Sequence, residues 1–250
     1  MTVWFFLLIL FVLIGLGLSI AFFFRDKQVG AGSWMLGSLA FLQTIVLLEF
    51  AMLWTRQLHH IPHFVGLSYA LPFLFGPFAW AYVKQNTRED FRFSGTFLFH
   101  LIPFFWLLFL QFGLYVDYTY SKEIFIKEQI YTGNFFTHPR HMWITIFQVF
   151  SMMCYSFLLL YEAYQGSSRL LFRRGLTHVT AKMKKFGSRF AIWTILFALS
   201  LITVSAGPIL HNVAIVTHLL LAAYVFGLLG SKLRGQQETE LQTVELEKNN

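Results

Sequence analysis

One cysteine, six prolines and few charges stand out as scarcities in these 250 residues. A lone thiol, Cys154, excludes an internal disulfide and a cysteine-based metal cluster; inside an apolar run it reads as a buried, inert side chain. Charged residues make up 12% of the chain, roughly half of the 25% or so usual in soluble domains. That scarcity argues against a disordered chain and against an ordinary water-soluble enzyme. Acids inside apolar runs are almost missing, so no chain of carboxylates suggests a proton relay. Neither a G-x-x-x-x-G-K-[ST] phosphate loop nor a G-x-S-x-G elbow occurs. The last apolar run has no lysine to carry a retinal Schiff base. No catalytic residue, metal or cofactor is therefore assigned.

Apolar residues fill 56% of the chain, with 31 phenylalanines among them. Seven stretches approach the 20 or so apolar residues needed to cross hydrocarbon: about 3–24, 33–55, 64–83, 94–116, 141–163, 187–207 and 209–230. The runs are continuous, without the alternation of membrane β-strands. The expectation is an all-α polytopic protein, a bundle of seven transmembrane helices over 1–230, with a polar tail over 231–250. Gly207-Pro208 leaves almost no loop between the last two, which predicts a tight antiparallel hairpin. The first run lacks preceding basic residues and a small-residue cleavage site, so it reads as a retained span and not a signal peptide.

Lys and Arg set the expected orientation. One side collects Arg25, Lys27, Lys84, Arg88, Arg92, the seven basic residues of 164–189, and Lys232, Arg234 and Lys248. The other collects only Arg56, Lys122, Lys127 and Arg140. Basic residues favour the cytoplasmic side, so the N-terminus is expected outside and the C-terminus inside. The net charge of +7 then faces an anionic inner leaflet and calls for no nucleic-acid partner. Arg169, Arg173, Arg174, Lys182, Lys184, Lys185 and Arg189 are expected to contact lipid phosphates. The 164–189 loop reads either as a helix lying on the membrane, with Leu170, Leu171 and Phe172 at its surface, or as a solvated connector. The outer segment 117–140 reads as an interfacial helix or as a lid over an outward pocket.

An ionisable group at membrane depth is a functional candidate by default. Glu49 lies about 7–8 Å below the outer face by helical rise. His63 and His211 are expected at the same level, so the three converge in one expectation on an outward polar pocket. His100 lies nearer the inner face, and His218 lies seven residues beyond His211. That spacing separates the two by about 10.5 Å along a helix, too far to share one zinc ion with donors at about 2 Å. The alternative to a pocket is a set of histidines and a protonated Glu49 hydrogen-bonded within the bundle.

Residues 62–82 read Pro62-His63-Phe64-Val65-Gly66-Leu67-Ser68-Tyr69-Ala70-Leu71-Pro72-Phe73-Leu74-Phe75-Gly76-Pro77-Phe78-Ala79-Trp80-Ala81-Tyr82. His100-Leu101-Ile102-Pro103-Phe104 follows. This resembles the seven-helix sensor region that precedes the DNA-binding domain in membrane-bound AraC-type bacterial transcription regulators. The likeness is best over 60–105. It implies a cell inner membrane location. The physics of those residues assigns packing roles to Gly66 and Gly76, bends to Pro72 and Pro77, and a tie between spans three and four to His100. The family continues into helix-turn-helix units. Residues 231–250 hold no such unit, so DNA binding is not carried over.

The leading expectation is a non-enzymatic sensor or signalling module that binds a ligand or partner from outside and relays to the tail. One alternative is an accessory or structural subunit of a membrane complex, with a membrane protein or a second copy as partner. Another is an intramembrane metal-dependent lipid hydrolase using Glu49 and the histidines.

Overall fold

A computed structural model of the protein describes residues 2–24, 32–55, 57, 60, 66–87, 95–117, 139–170, 177–205 and 211–248. Among the described residues the regular structure is entirely helical. The helices are α1 (Thr2–Phe24), α2 (Ser33–Trp54), α3 (Pro72–Thr87), α4 (Gly95–Phe99), α5 (Ile102–Asp117), α6 (Pro139–Leu170), α7 (Thr177–Ser205) and α8 (His211–Lys248). A 3-10 turn, Leu67–Ala70, precedes α3. Five helices, α1, α2, α6, α7 and α8, are long and apolar enough to cross a membrane. This follows from chemistry: in lipid each backbone N–H and C=O must be satisfied within its own segment, which a helix achieves.

Helices α1, α2, α3, α6, α7 and α8 form a closed circuit, each packed on the next and α8 returning to α1. α3 is buried along most of its length. Its Phe75 lies 5.0 Å from Trp193 of α7, centroid to centroid, and its Tyr82 lies 5.1 Å from Phe186. α4 and α5 sit at the margin. Their Leu98, Phe99, Ile102, Phe105, Trp106 and Phe109 are exposed, as expected of a face turned to lipid.

Lipid tails are as apolar as leucine, so apolar burial alone does not drive helices together in a membrane; close packing and hydrogen bonds do. The bundle supplies both. Ser19 Oγ donates to the Gly37 carbonyl at 3.0 Å, joining α1 to α2. Ser156 and Thr194 hydroxyls meet at 3.1 Å between α6 and α7. Thr203 and Thr217 meet at 2.8 Å between α7 and α8. At Gly76, an added Cβ would overlap the Tyr155 ring and fall 2.7 Å from Tyr155 Cβ. The missing side chain lets α3 and α6 approach.

Several expectations are revised. The stretch expected as one helix over 64–83 instead carries a 3-10 turn and a 16-residue helix. Pro72 opens α3, where its lost N–H costs nothing, and Pro77 lies inside it. The stretch over 94–116 is interrupted at His100 and Leu101, with Pro103 in the first turn of α5. The helix expected to lie on the membrane over 164–189 is absent from the described part of that segment: α6 runs on to Leu170 and α7 already begins at Thr177. Cys154 is exposed and not buried. On α6 the positions turned inward are Met152, Tyr155, Ser156, Leu159 and Ala163, and helical periodicity puts Cys154 on the other side. Of the segment 117–140 expected as an interfacial helix or a lid, Asp117 ends α5 and residues 139–140 begin α6, while 118–138 lie outside the described residues, as does the Gly207-Pro208 turn in 206–210.

Candidate functional site

Glu49 lies near the C-terminal end of α2 and reaches across to the segment before α3. Its Oε1 accepts the Gly66 N–H at 2.5 Å, and its Oε2 accepts the Ser68 N–H at 2.6 Å. The Ser68 side chain hydrogen-bonds the same carboxyl group. Both carboxyl oxygens are therefore taken up as acceptors of backbone N–H groups. The arrangement resembles an N-cap provided by another helix: a carboxyl group receives the unpaired N–H groups that open the 3-10 turn.

Gly66 makes this possible. Its φ is +80°, in the left-handed region, where a Cβ is strained. It therefore has a conformational role that the packing role expected of it did not include. The turn is also held from the far side, where Gln148 Nε2 of α6 donates to the Tyr69 carbonyl at 2.6 Å. Two side chains from helices far apart in sequence thus grip one turn.

The residue after Glu49 continues the chain of contacts. The Phe50 ring stacks on the His218 ring of α8 at 3.6 Å between centroids and 4° between planes. His218 is buried, and its Nδ1–H donates to the Ala214 carbonyl at 2.9 Å. Glu49 and His218 therefore belong to one constellation, although they do not touch. The expected convergence with His63 and His211 lies outside what is described: His63 falls among residues 61–65, and His211 is placed only as the first residue of α8.

His100 belongs elsewhere. Its Nδ1 and the Tyr155 hydroxyl are 2.7 Å apart, and its ring lies 4.6 Å from that of Trp80. It joins the α4–α5 junction to α6 as well as to α3, more than the single tie between spans three and four expected of it. No protein-family model, curated protein or solved structure matches this chain. Its chemistry is accordingly read from the side chains.

Among the described residues no group of three or more His, Cys, Asp or Glu gathers as metal ligands would. Both Glu49 oxygens already accept N–H groups, which leaves this carboxylate poorly disposed as a ligand. Gln43 Oε1 and Trp193 Nε1 are among the buried polar atoms that have no hydrogen-bond partner among the described residues.

The opposite end of the bundle is basic. Lys182, Lys185 and Arg189 of α7 act electrostatically on Lys232 of α8. Lys184 is turned toward α6, with its ammonium 4.3 Å from the Tyr164 ring centre. Arg169 continues α6, and Arg173 and Arg174 lie outside the described residues. Sequence reasoning passed over Tyr155 and Phe50, and took Lys232 only as one more cation of the inner side. It also missed Glu162, which is buried at the very end of an expected span. Of these, Lys232 left a readable sign: it is a cation placed where an apolar run ends.

Proposed function

We propose that this chain is a seven-helix inner-membrane sensor or signalling module, with its N-terminus outside and its C-terminus inside. In this reading the 3-10 turn with α3, and α4 with α5, complete two further crossings beside the five long helices. The observation that carries the relay is the contact series from the 66–70 turn through Glu49 and Phe50 to His218. His218 stands on a 38-residue helix that continues without a break to Lys248. A ligand or partner that favours a different state of the turn at the outer face shifts α8 through the Phe50–His218 stack, and α8 carries the shift to the tail. Such a ligand acts only by its differential affinity for the two states. The resemblance over 60–105 to sensor regions of AraC-type regulators supports the same role. The basic end then faces anionic inner-leaflet lipid.

Two measurements test this. A tag fused at Asn250 should stay unreactive toward a membrane-impermeant reagent in intact cells, while a tag at Thr2 should react. Labelling at Asn250 would overturn the odd number of crossings. For the relay, spin labels at Ile195 and Thr243 in a Cys154→Ser background report the distance between α7 and the tail. Glu49→Gln, which loosens the turn, should move that distance by at least the 1–2 Å or so typical of helix shifts. His218→Leu should abolish the response. A folded Glu49→Gln protein with an unchanged distance would overturn the relay.

A further inference from the structure

Lys182, Lys185 and Arg189 follow one another at helical spacing, so they form a single stripe on α7. That stripe faces Lys232 of α8, and all three charges act on it. The Lys232 side chain is half-buried, with its ammonium 5.5 Å from the centre of the Phe186 ring. Arg189 is held in place from both sides of its backbone and head: its carbonyl accepts the Tyr224 hydroxyl at 3.0 Å, and its Nη1 lies 3.5 Å from Ser231 Oγ.

Four cations crowded together repel, and they repel more strongly where water is partly excluded. Their depth identifies what relieves the repulsion. Residues 182–189 open the apolar stretch of α7, Ala181–Val204, and Ser231 and Lys232 close that of α8, Val213–Leu233. The cluster therefore sits where hydrocarbon gives way to headgroups. An anion with several acceptor oxygens is fixed at that level by its own acyl chains in an anionic phospholipid. A choline lipid brings its own cation and neutralises nothing.

We propose that the adjoining ends of α7 and α8 form a binding site for an anionic glycerophospholipid, its phosphate held by Lys232 and Arg189 with Lys182 and Lys185 beside them. The bound lipid sets the depth at which α8 leaves the bilayer. The site deepens the lipid-facing part of the proposed function and does not depend on the relay, so either fails without the other.

The test uses the full chain purified in neutral detergent, with lipid retention followed by native mass spectrometry and unfolding followed by tryptophan fluorescence. Phosphatidylglycerol should bind at least about tenfold more tightly than phosphatidylcholine, since a single basic residue at the surface favours an anionic lipid by about fivefold. Lys232→Met combined with Arg189→Gln should bring the two lipids to parity. Lys232→Arg should keep the preference, and so should Lys84→Gln, which removes a cation from α3. Equal retention of both lipids by the wild type would overturn the proposal. So would displacement of phosphatidylglycerol by inorganic phosphate that also raises the melting temperature equally, which would mark a site for a soluble anion. Should the double variant not fold, Lys182→Gln with Lys185→Gln should lower the preference by about threefold or more; an unchanged preference there would overturn it too.

Discussion

Glu49→Ala is expected to destabilise the folded protein by about 3–5 kcal/mol, since each buried N–H left without an acceptor costs about 1–3 kcal/mol. The substitution leaves the Gly66 and Ser68 N–H groups without their acceptor in a region that water reaches poorly. Glu49→Gln should cost about half as much. Its carbonyl oxygen can still accept one N–H, while its amide nitrogen faces the other as a second donor. Gly66→Ala acts on the same turn by another route. It keeps the carboxylate but strains the left-handed backbone, for about 1–2 kcal/mol. Combining it with Glu49→Ala should cost less than the two separately, because both release one turn. Thermal unfolding of the purified protein in detergent checks the series. A Glu49→Ala protein that melts with the wild type would show that the carboxylate does not hold the turn.

Gly76→Ala should be more damaging than Gly66→Ala, because the new methyl meets Tyr155 near its own backbone and not at a flexible tip. Overpacking of this kind costs about 1–3 kcal/mol, and α3 and α6 must separate to admit it. Gly76→Ile should prevent folding altogether. Tyr155→Ala should not rescue Gly76→Ala, since the Tyr155 Cβ itself is one of the atoms overlapped. Tyr155→Phe in the native background keeps the packing and loses only the contact with His100, and should cost about 1 kcal/mol. Helical content by circular dichroism and retention volume on size exclusion separate these outcomes. Normal melting of Gly76→Ala would show that α3 and α6 have room to spare.

Helices α1 and α2 run over apolar stretches that the sequence displays openly, because a continuous apolar run in a membrane protein has few alternatives to helix. The turn at 66–70 is not displayed in this way. A glycine, a serine and a tyrosine there suit a helix as well as a turn, and what decides is a carboxylate 17 residues earlier and a glutamine on α6. The basic residues after Glu162 were legible as charge but not as shape. Charge density suggested a surface segment, whereas α6 runs into it as far as Leu170 and α7 begins within it at Thr177. Glu49 was visible as a lone acid in an apolar run, but its occupants were not: backbone N–H groups leave no trace in a sequence. Cys154 illustrates the same limit, since periodicity fixes a face only once the buried neighbours of α6 are known.

The length of α8 has a mechanical meaning. From His218 to Lys248 the helix covers 30 residues, about 45 Å at 1.5 Å each. A stiff arm of that reach, pivoting at the Phe50 ring, converts a tilt of about 5° into a sweep of about 4 Å at its far tip. Leverage of this kind lets a disturbance too small to alter the packing around Phe50 change what the last residues touch.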